Sequence, residues 1–340
     1  MDQDWLLVET LGTEPVVVAQ GRRMKNLVPI TAFLRRHPHR AAIQTAITET
    51  VIAGTSLASI TPKSDRVIRT EPVTMSDGKV HGVHVWIGPA DAEPPQRPIP
   101  GPLIWDMTAG EATDTVESLT NSGMNPAQER THGRAFVEDL PSRDLHKNEA
   151  RVLAMAVDTA PGRTYCSSWD FTDKLGGFRR VGFVVRTAME PAADGTEHLI
   201  ARAMNLVGEL DETDIPTGLL AQRILKGLSQ RGVYRAIVDL GSWHLLKWLD
   251  EPCPHYDWRQ GMQFHPDDRT KLEPMVKEFE TGSTSRVLRL PANGSGWVPM
   301  HIMANRIELD NGVFAGLITL RLPTDAELAE AGLSGAGSTT

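Results

Sequence analysis

Apolar and polar positions along this chain follow one succession near the N-terminus and follow it again near the C-terminus. Trp5-Leu-Leu-Val-Glu-Thr-Leu-Gly12 reads as a strand stopped by glycine, and Tyr234-Arg-Ala-Ile-Val-Asp-Leu-Gly241 reads the same way. In the second copy His265-Pro-Asp-Asp-Arg269 opens a helix, because proline at the first helical position loses no hydrogen bond and the carboxylates sit at the positive end of the helix dipole. Leu272, Met275, Val276 and Phe279 then recur at i, i+3, i+4 and i+7, which predicts one apolar face, and Gly282 stops it. In the first copy 38–53 reads as a helix with Ile43, Ile47 and Val51 on one side, before Gly54.

After each helix come β-prone runs. In the second copy they cover 285–291, 297–309 and 313–322, separated by Asn293-Gly-Ser-Gly296 and Asp310-Asn-Gly312, which are hairpin turns. Val298, Met300, Ile302 and Ala304 share one strand face, and Phe314, Ile318, Leu320 and Leu322 share another. The first copy turns at Ser76-Asp-Gly78 between 67–75 and 79–87. Gly78, Gly82 and Pro89 match Gly312, Gly316 and Pro323 at one offset, so residues 5–89 and 234–323 are expected to share a topology, with the helices after Pro38 and Pro266 equivalent. The stretch 103–210 shows neither the His-Pro helix start nor the spaced glycines, and a different strand count or order is expected there. It offers a helix-compatible run over 145–157 and strand-like runs at 165–169, 178–188 and 197–207.

Length and composition change this picture only at its edges. A chain of 340 residues with 40% hydrophobic and 23% charged residues suits two or three soluble domains of roughly 100 residues. No apolar run reaches the roughly 18 residues that span a membrane, and the N-terminus lacks a secretion signal, so a cytoplasmic location without a membrane span is expected. The formal charge of −8 is spread without long blocks of one sign, which opposes nucleic-acid binding. The basic run Gly21-Arg-Arg-Met-Lys25 reads as a solvated loop. Six prolines in 88–102 predict a stiff spacer, and the small, polar residues at the C-terminal end predict disorder.

The order β-β-helices-β-β-β, with the His265-Pro-Asp-Asp start and a glycine-bearing last hairpin, resembles the PAS sensor domain. The first copy departs from it in reading His37-Pro-His-Arg40. The middle is similar to a GAF domain, and the whole resembles the actinobacterial triple sensor-domain proteins, a PAS-GAF-PAS arrangement without an effector. The resemblance implies an α+β fold of three sensor modules, each an antiparallel sheet with helices on one side. The boundaries are a PAS-like domain over 1–90, a Pro-rich linker over 91–102, a GAF-like domain over 103–210, a PAS-like domain over 211–325 and a disordered tail over 326–340. It also implies signalling through an effector protein in trans, which the sequence does not identify.

Chemistry is sparse. Cys166 and Cys253 are too few for a disulfide framework or a four-thiolate metal site. No phosphate loop, kinase signature, nucleotide-cyclase segment, serine elbow or helix-turn-helix is present, so the chain is expected not to be an enzyme. The densest unusual cluster is Trp243-His-Leu-Leu-Lys-Trp248 followed by Cys253-Pro-His-Tyr-Asp-Trp258. It is either ordinary core or the wall of a cavity in which a flat ligand stacks. On the second reading Trp248, Trp258, Met275, Phe279, Met300 and Ile302 line a small-molecule site, with no cofactor named and no metal. His265 would suit a haem but reads more simply as a helix start. His81 and His84, three apart on a strand, are expected on opposite faces. The apolar stripe in 213–228 predicts either a pairing helix for a homodimer or a helix packed on its own domain.

Overall fold

The structure is a computed structural model, describing residues 4–61, 66–139, 149–172, 177–210, 220–260, 263–279 and 282–333. The chain divides into two compact units, 1–134 with 159–215, and 135–158 with 216–340.

The first unit holds two sheets. Strands β1 (Leu6–Glu9), β2 (Val16–Gln20) and β3 (Arg23–Pro29) lead into the short helix α1 (Ile30–Phe33) and the longer α2 (Arg40–Ala53), followed by β4 (Leu57–Ile60), β5 (Arg66–Thr74) and β6 (Val80–Pro89). Their order is β3-β2-β1-β6-β5-β4, antiparallel throughout. Gly54, at φ 64, ends α2 in the left-handed conformation that glycine adopts without strain. One face of this sheet buries Leu6, Val8, Val83, Val85 and Ile87 against Ile43, Ala46 and Ile47 of α2. The other buries Leu7, Val16, Val18 and Val73 against Val184, Met204 and Leu206 of the second sheet.

That second sheet begins with β7 (Gly101–Asp106), β8 (Glu111–Asp114), helix α3 (Val116–Asn121) and the two-residue β9 (Arg134–Ala135). The chain then leaves the unit through a 3-10 turn over Phe136–Asp139 and helix α4 (Glu149–Val157), and returns as β10 (Thr164–Thr172), β11 (Phe178–Pro191) and β12 (Glu197–Val207). The order is β10-β11-β12-β7-β8-β9. Read from its other edge, this is the strand order and count of the first sheet, so the expected difference does not hold against the N-terminal module, while against the five-stranded C-terminal sheet a difference in strand count remains. The sequence signal failed because the landmarks sought were a helix start and turn glycines. Strand order is carried instead by which apolar runs pair. The linker is shorter than expected, since Gly101 and Pro102 already belong to β7.

The second unit contains α5 (Leu220–Gly227), β13 (Tyr234–Val238), β14 (Leu245–Trp248), 3-10 turns over Trp258–Gln260 and Pro266–Lys271, α6 (Leu272–Phe279), β15 (Ser283–Pro291), β16 (Trp297–Asp310), β17 (Val313–Arg321) and α7 (Asp325–Glu330). Its sheet, β14-β13-β17-β16-β15, repeats the order of β2-β1-β6-β5-β4, and α6 occupies the position of α2. The helix expected from Pro266 is split because Pro274, which has no N–H to donate, fits only the first turn of an α-helix. The tail expected to be disordered from 326 starts inside α7, where Thr324 and Glu327 form a reciprocal capping box. Residues 334–340 lie outside the described residues.

Residues 135–158 lie in sequence within the middle module and are grouped in space with the second unit. Ala135 and Val137 join the core on the α6 side of the sheet. Glu149 of α4 pairs with Lys247 of β14, whose register partner Ile237 alternates with Ala236 and Val238 and so faces away from that core. α4 also packs on β16 and β17. The sheet therefore carries helical structure on both faces, not on one. For α5, the described part of the 213–228 stripe, Leu220, Ile224 and Leu228 are exposed; 211–219 lie outside the described residues.

One landmark match slips. A side chain at Gly82 would run into Met204, on the face away from α2, whereas one at Gly316 would run into Leu240 and Val238, on the face towards α6. The shared glycine offset is thus not the structural equivalence, because a slip of one residue reverses the face in a strand.

Candidate functional site

The aromatic cluster of the second unit is assembled by a turn and a loop. Asp239 accepts hydrogen bonds from the Gly241 and Ser242 amides (3.1 and 2.9 Å), and its carbonyl accepts from the Trp243 amide (2.9 Å). These bonds hold Trp243 at φ 61, a region that bulky residues rarely adopt. The Trp243 ring then stands edge-on to Phe264 at 5.5 Å and 5.7 Å from Phe279. Trp248, at the end of β14, lies 6.4 Å from Tyr256 and 6.2 Å from Trp258.

α6 is fixed against this cluster by its start. The His265 ring accepts a hydrogen bond from the Asp267 amide at 3.2 Å, which caps the 3-10 turn. Asp268, buried, accepts from the Arg289 amide and guanidinium at 2.9 Å and from Lys271 at 2.9 Å. Burial alone would raise its pKa, but the hydrogen bonds from Arg289 and Lys271 outweigh that and bring it down to about 2.

All six residues expected to line a ligand site, Trp248, Trp258, Met275, Phe279, Met300 and Ile302, lie in one buried cluster with Trp243, Cys253 and Tyr256. Met275, Met300 and Ile302 are fully buried, while Leu272 and Val298 lie at the margin. Val276, expected on the inward face, is 48% exposed, because with Met275 and Phe279 centred on the core a residue one step from Met275 is turned about 100° away. Sequence reasoning missed Ala135 and Val137, which come from a segment more than a hundred residues upstream.

Among the described residues the Trp248 indole N–H and the Tyr256 hydroxyl, both in this core, meet no protein partner. A buried polar group left unsatisfied costs about 1–3 kcal/mol, so each is a place where a bound molecule gains a hydrogen bond at no expense to the protein. Burial pushes the Tyr256 hydroxyl far above its ordinary pKa and raises that of the Cys253 thiol, so both stay protonated. These core groups can thus donate hydrogen bonds within an aromatic and thioether surround, and neither acts as a base. Cys253, His255 and His265 do not converge: His255 packs on Tyr234 and His265 on Trp297. Among the described residues no group of three or more His, Cys, Asp or Glu side chains is placed to hold a metal.

Several ionisable groups elsewhere serve structure. In the first unit His81 is the extra residue of a register break between β5 and β6. It shares a hydrogen bond with the Ala203 carbonyl at 2.9 Å, and Arg202 approaches its other nitrogen at 3.1 Å. Arg202 is in turn gripped by both oxygens of Glu190 and by Asp77. The break undoes the simple alternation on which His81 and His84 were expected to oppose each other: Gly82, two residues before His84, already faces Met204, and His81 reaches the neighbouring Ala203. Burial lowers His81 to about 4 and His84 to about 3, so both rings are neutral. In the second unit Ser285 meets the His301 Nε2 at 2.8 Å, with Glu327 at 3.4 Å from that same nitrogen. A catalytic triad needs the carboxylate on the other nitrogen, and here Glu327 is held by Arg321 in a bidentate pair.

The profile of the N-terminal domain of the Rv3651-like family matches residues 4–96, that of its middle domain 99–208 and that of its C-terminal domain 218–331. A protein of Mycobacterium tuberculosis, described as uncharacterized, is 61% identical over 97% of this chain and 99% of its own, with a TM-score of 0.87. The chain belongs to the Rv3651-like family. Distant similarities reach a sensory box histidine kinase/response regulator from Burkholderia thailandensis E264 (16% identity, 38% of this chain and 84% of that one, TM-score 0.23) and an RNA-binding light-oxygen-voltage receptor (9%, 69% and 98%, 0.24). Scores so low carry no argument. No curated protein matches the chain.

Proposed function

We propose that this Rv3651-like protein is a non-enzymatic cytoplasmic signalling protein whose modules are PAS- and GAF-type sensors. In this reading the C-terminal module binds a small, flat, largely apolar ligand, and its state passes by protein contact to an effector on another chain. One observation carries the proposal: Trp248 and Tyr256 keep an N–H and an O–H without protein partners among the described residues, inside a core built of aromatic, methionine and aliphatic side chains. A ligand with one or two acceptor atoms accounts for both. The exposed apolar face of α5 supports relay by contact, with an effector or a second copy.

The alternative is an enzyme with a small-molecule active site on the same scaffold. It would require ionisable groups converging on a cavity with shifted pKa values. The nearest constellation, Ser285 with His301 and Glu327, uses a single imidazole nitrogen for both contacts, which disfavours it.

Native mass spectrometry and absorbance of the purified chain test the proposal, with Met300→Trp as the matched variant. The expected result is a bound mass released on denaturation and absent from the variant, with little change in Tm. A Tm drop equivalent to about 1–3 kcal/mol in the unliganded variant would mean tight core and no site. Turnover of a substrate that is lost in Ser285→Ala would establish the alternative.

A further inference from the structure

A concave site lies in the first unit, remote in sequence from the aromatic core. A groove of about 460 Å³ is walled by three stretches: Asp4 and Trp5, the β2–β3 turn from Gln20 to Lys25, and the proline segment 95–98 with Glu209. Gly21, at φ 57, makes the turn, and its amide is tied to the Trp5 carbonyl at 2.7 Å. The Trp5 indole donates to the Pro95 carbonyl at 2.9 Å, so the proline wall is fixed to the tryptophan. The walls are therefore set in place by backbone contacts, before any ligand arrives.

Charge decides what this groove can take. Arg22, Arg23 and Lys25 line it against Asp4 and Glu209, a positive balance in a chain of net charge −8. Arg23 already neutralises Glu209 at 2.7 Å. Arg22 reaches only the Val207 carbonyl, at 3.4 Å, and the half-buried Lys25 ammonium meets no acceptor among the described residues. Two cations thus remain to be satisfied beside one carboxylate, Asp4, with the amides of Gln20 and Gln96 as further hydrogen-bonding groups. A volume of 460 Å³ falls within the roughly 300–1,000 Å³ of small-molecule sites and is far larger than a bare ion needs.

We propose that this groove binds a small phosphorylated metabolite of about mononucleotide size, its phosphate between Arg22 and Lys25 and its remainder along Trp5 and the proline wall. Guanidinium and ammonium groups make short, charge-assisted bonds to phosphate oxygens, which neutral parts of a ligand cannot replace.

Calorimetric titration of the full chain with AMP and with adenosine separates charge recognition from mere shape. AMP is expected to bind, more weakly as salt is raised, and adenosine to bind at least about tenfold more weakly. The double variant Arg22→Gln, Lys25→Gln should lose about tenfold or more in AMP affinity while keeping its Tm, since neither side chain is buried. Absence of AMP binding, equal affinity for adenosine, or affinity unchanged in the double variant would each overturn the proposal. The comparison of the two ligands uses the unaltered chain, so it stands even if the variant folds poorly.

Discussion

The N-terminal and C-terminal sheets share a strand order and the place of their main helix, yet each covers its second face differently. The N-terminal sheet lays Leu7, Val16, Val18 and Val73 against a whole neighbouring sheet, and β6 is buried along nearly its full length. Among the described residues the C-terminal sheet receives α4, held by its buried apolar side chains and by an ion pair between Lys247 and Glu149, both almost fully buried. One topology therefore admits, for the same face, a second sheet or a single helix, α4, which adds a buried ion pair to the apolar contacts of Val152, Leu153 and Ala156.

The ion pair should break most sharply. Lys247→Ala leaves Glu149 buried without its cation and is expected to cost about 3–5 kcal/mol in the second unit. Urea unfolding with hydrogen exchange should show β13 and β17 losing protection while β1 and β6 keep theirs. A loss below about 1 kcal/mol would mean that α4 is held by packing alone.

Acid should act on the other unit first. His81 and His84 are neutral in the folded state, with pKa values lowered from 6.5 to about 4 and about 3, so unfolding lets them take up protons. Their contribution is complete above pH 6.5 and is lost as pH falls towards 4; for His81 alone this is about 3 kcal/mol. In the second unit the comparable group is Asp268, lowered from 3.8 to about 2, whose contribution of about 2 kcal/mol is present above pH 3.8 and lost only below it. Hydrogen exchange between pH 6.5 and 4.5 should therefore show the first unit loosening first, and the opposite order would contradict the contrast.

The smallest effect sharpens it. Gly82→Ala would set a methyl 2.6 Å from the Val8 carbonyl oxygen, which is backbone and cannot turn aside, and is expected to cost about 1–3 kcal/mol. Gly316→Ala meets Leu240 at 2.7 Å, a half-buried side chain that can rotate, and should cost less than about 1 kcal/mol. Thermal melts of the two variants compare them directly.

These residues also show what the sequence could tell. Val16-Val-Val-Ala19 and the almost unbroken apolar run of β6 do carry the sign of a strand buried on both faces. Alternation in Val298, Met300 and Ile302 carries the sign of one inward face, and the burial of Met300 and Ile302 was legible for that reason. The kinship of the middle module was not legible, because strand pairing leaves no fixed local motif. Nor was the role of Glu149 and Lys247: a lone lysine in a short strand normally reads as solvent-facing, and only the arrival of a distant helix makes its burial tolerable.

The excursion of 135–158 has a consequence for how this polypeptide is made. Between β9 and β10 the ribosome releases a helix whose sheet has not yet been synthesised, since β13 begins at Tyr234. Until that sheet forms, α4 and its Glu149 must wait in water or on a chaperone, although the strands on both sides of the excursion can already pair. The second unit thus inherits part of its structure from the interior of the first unit's sequence, and no single cut can separate the two. A fragment starting at residue 216 would lack the cover for one face of its sheet and the partner of Lys247. A fragment ending at 215 would carry a helix with nowhere to dock.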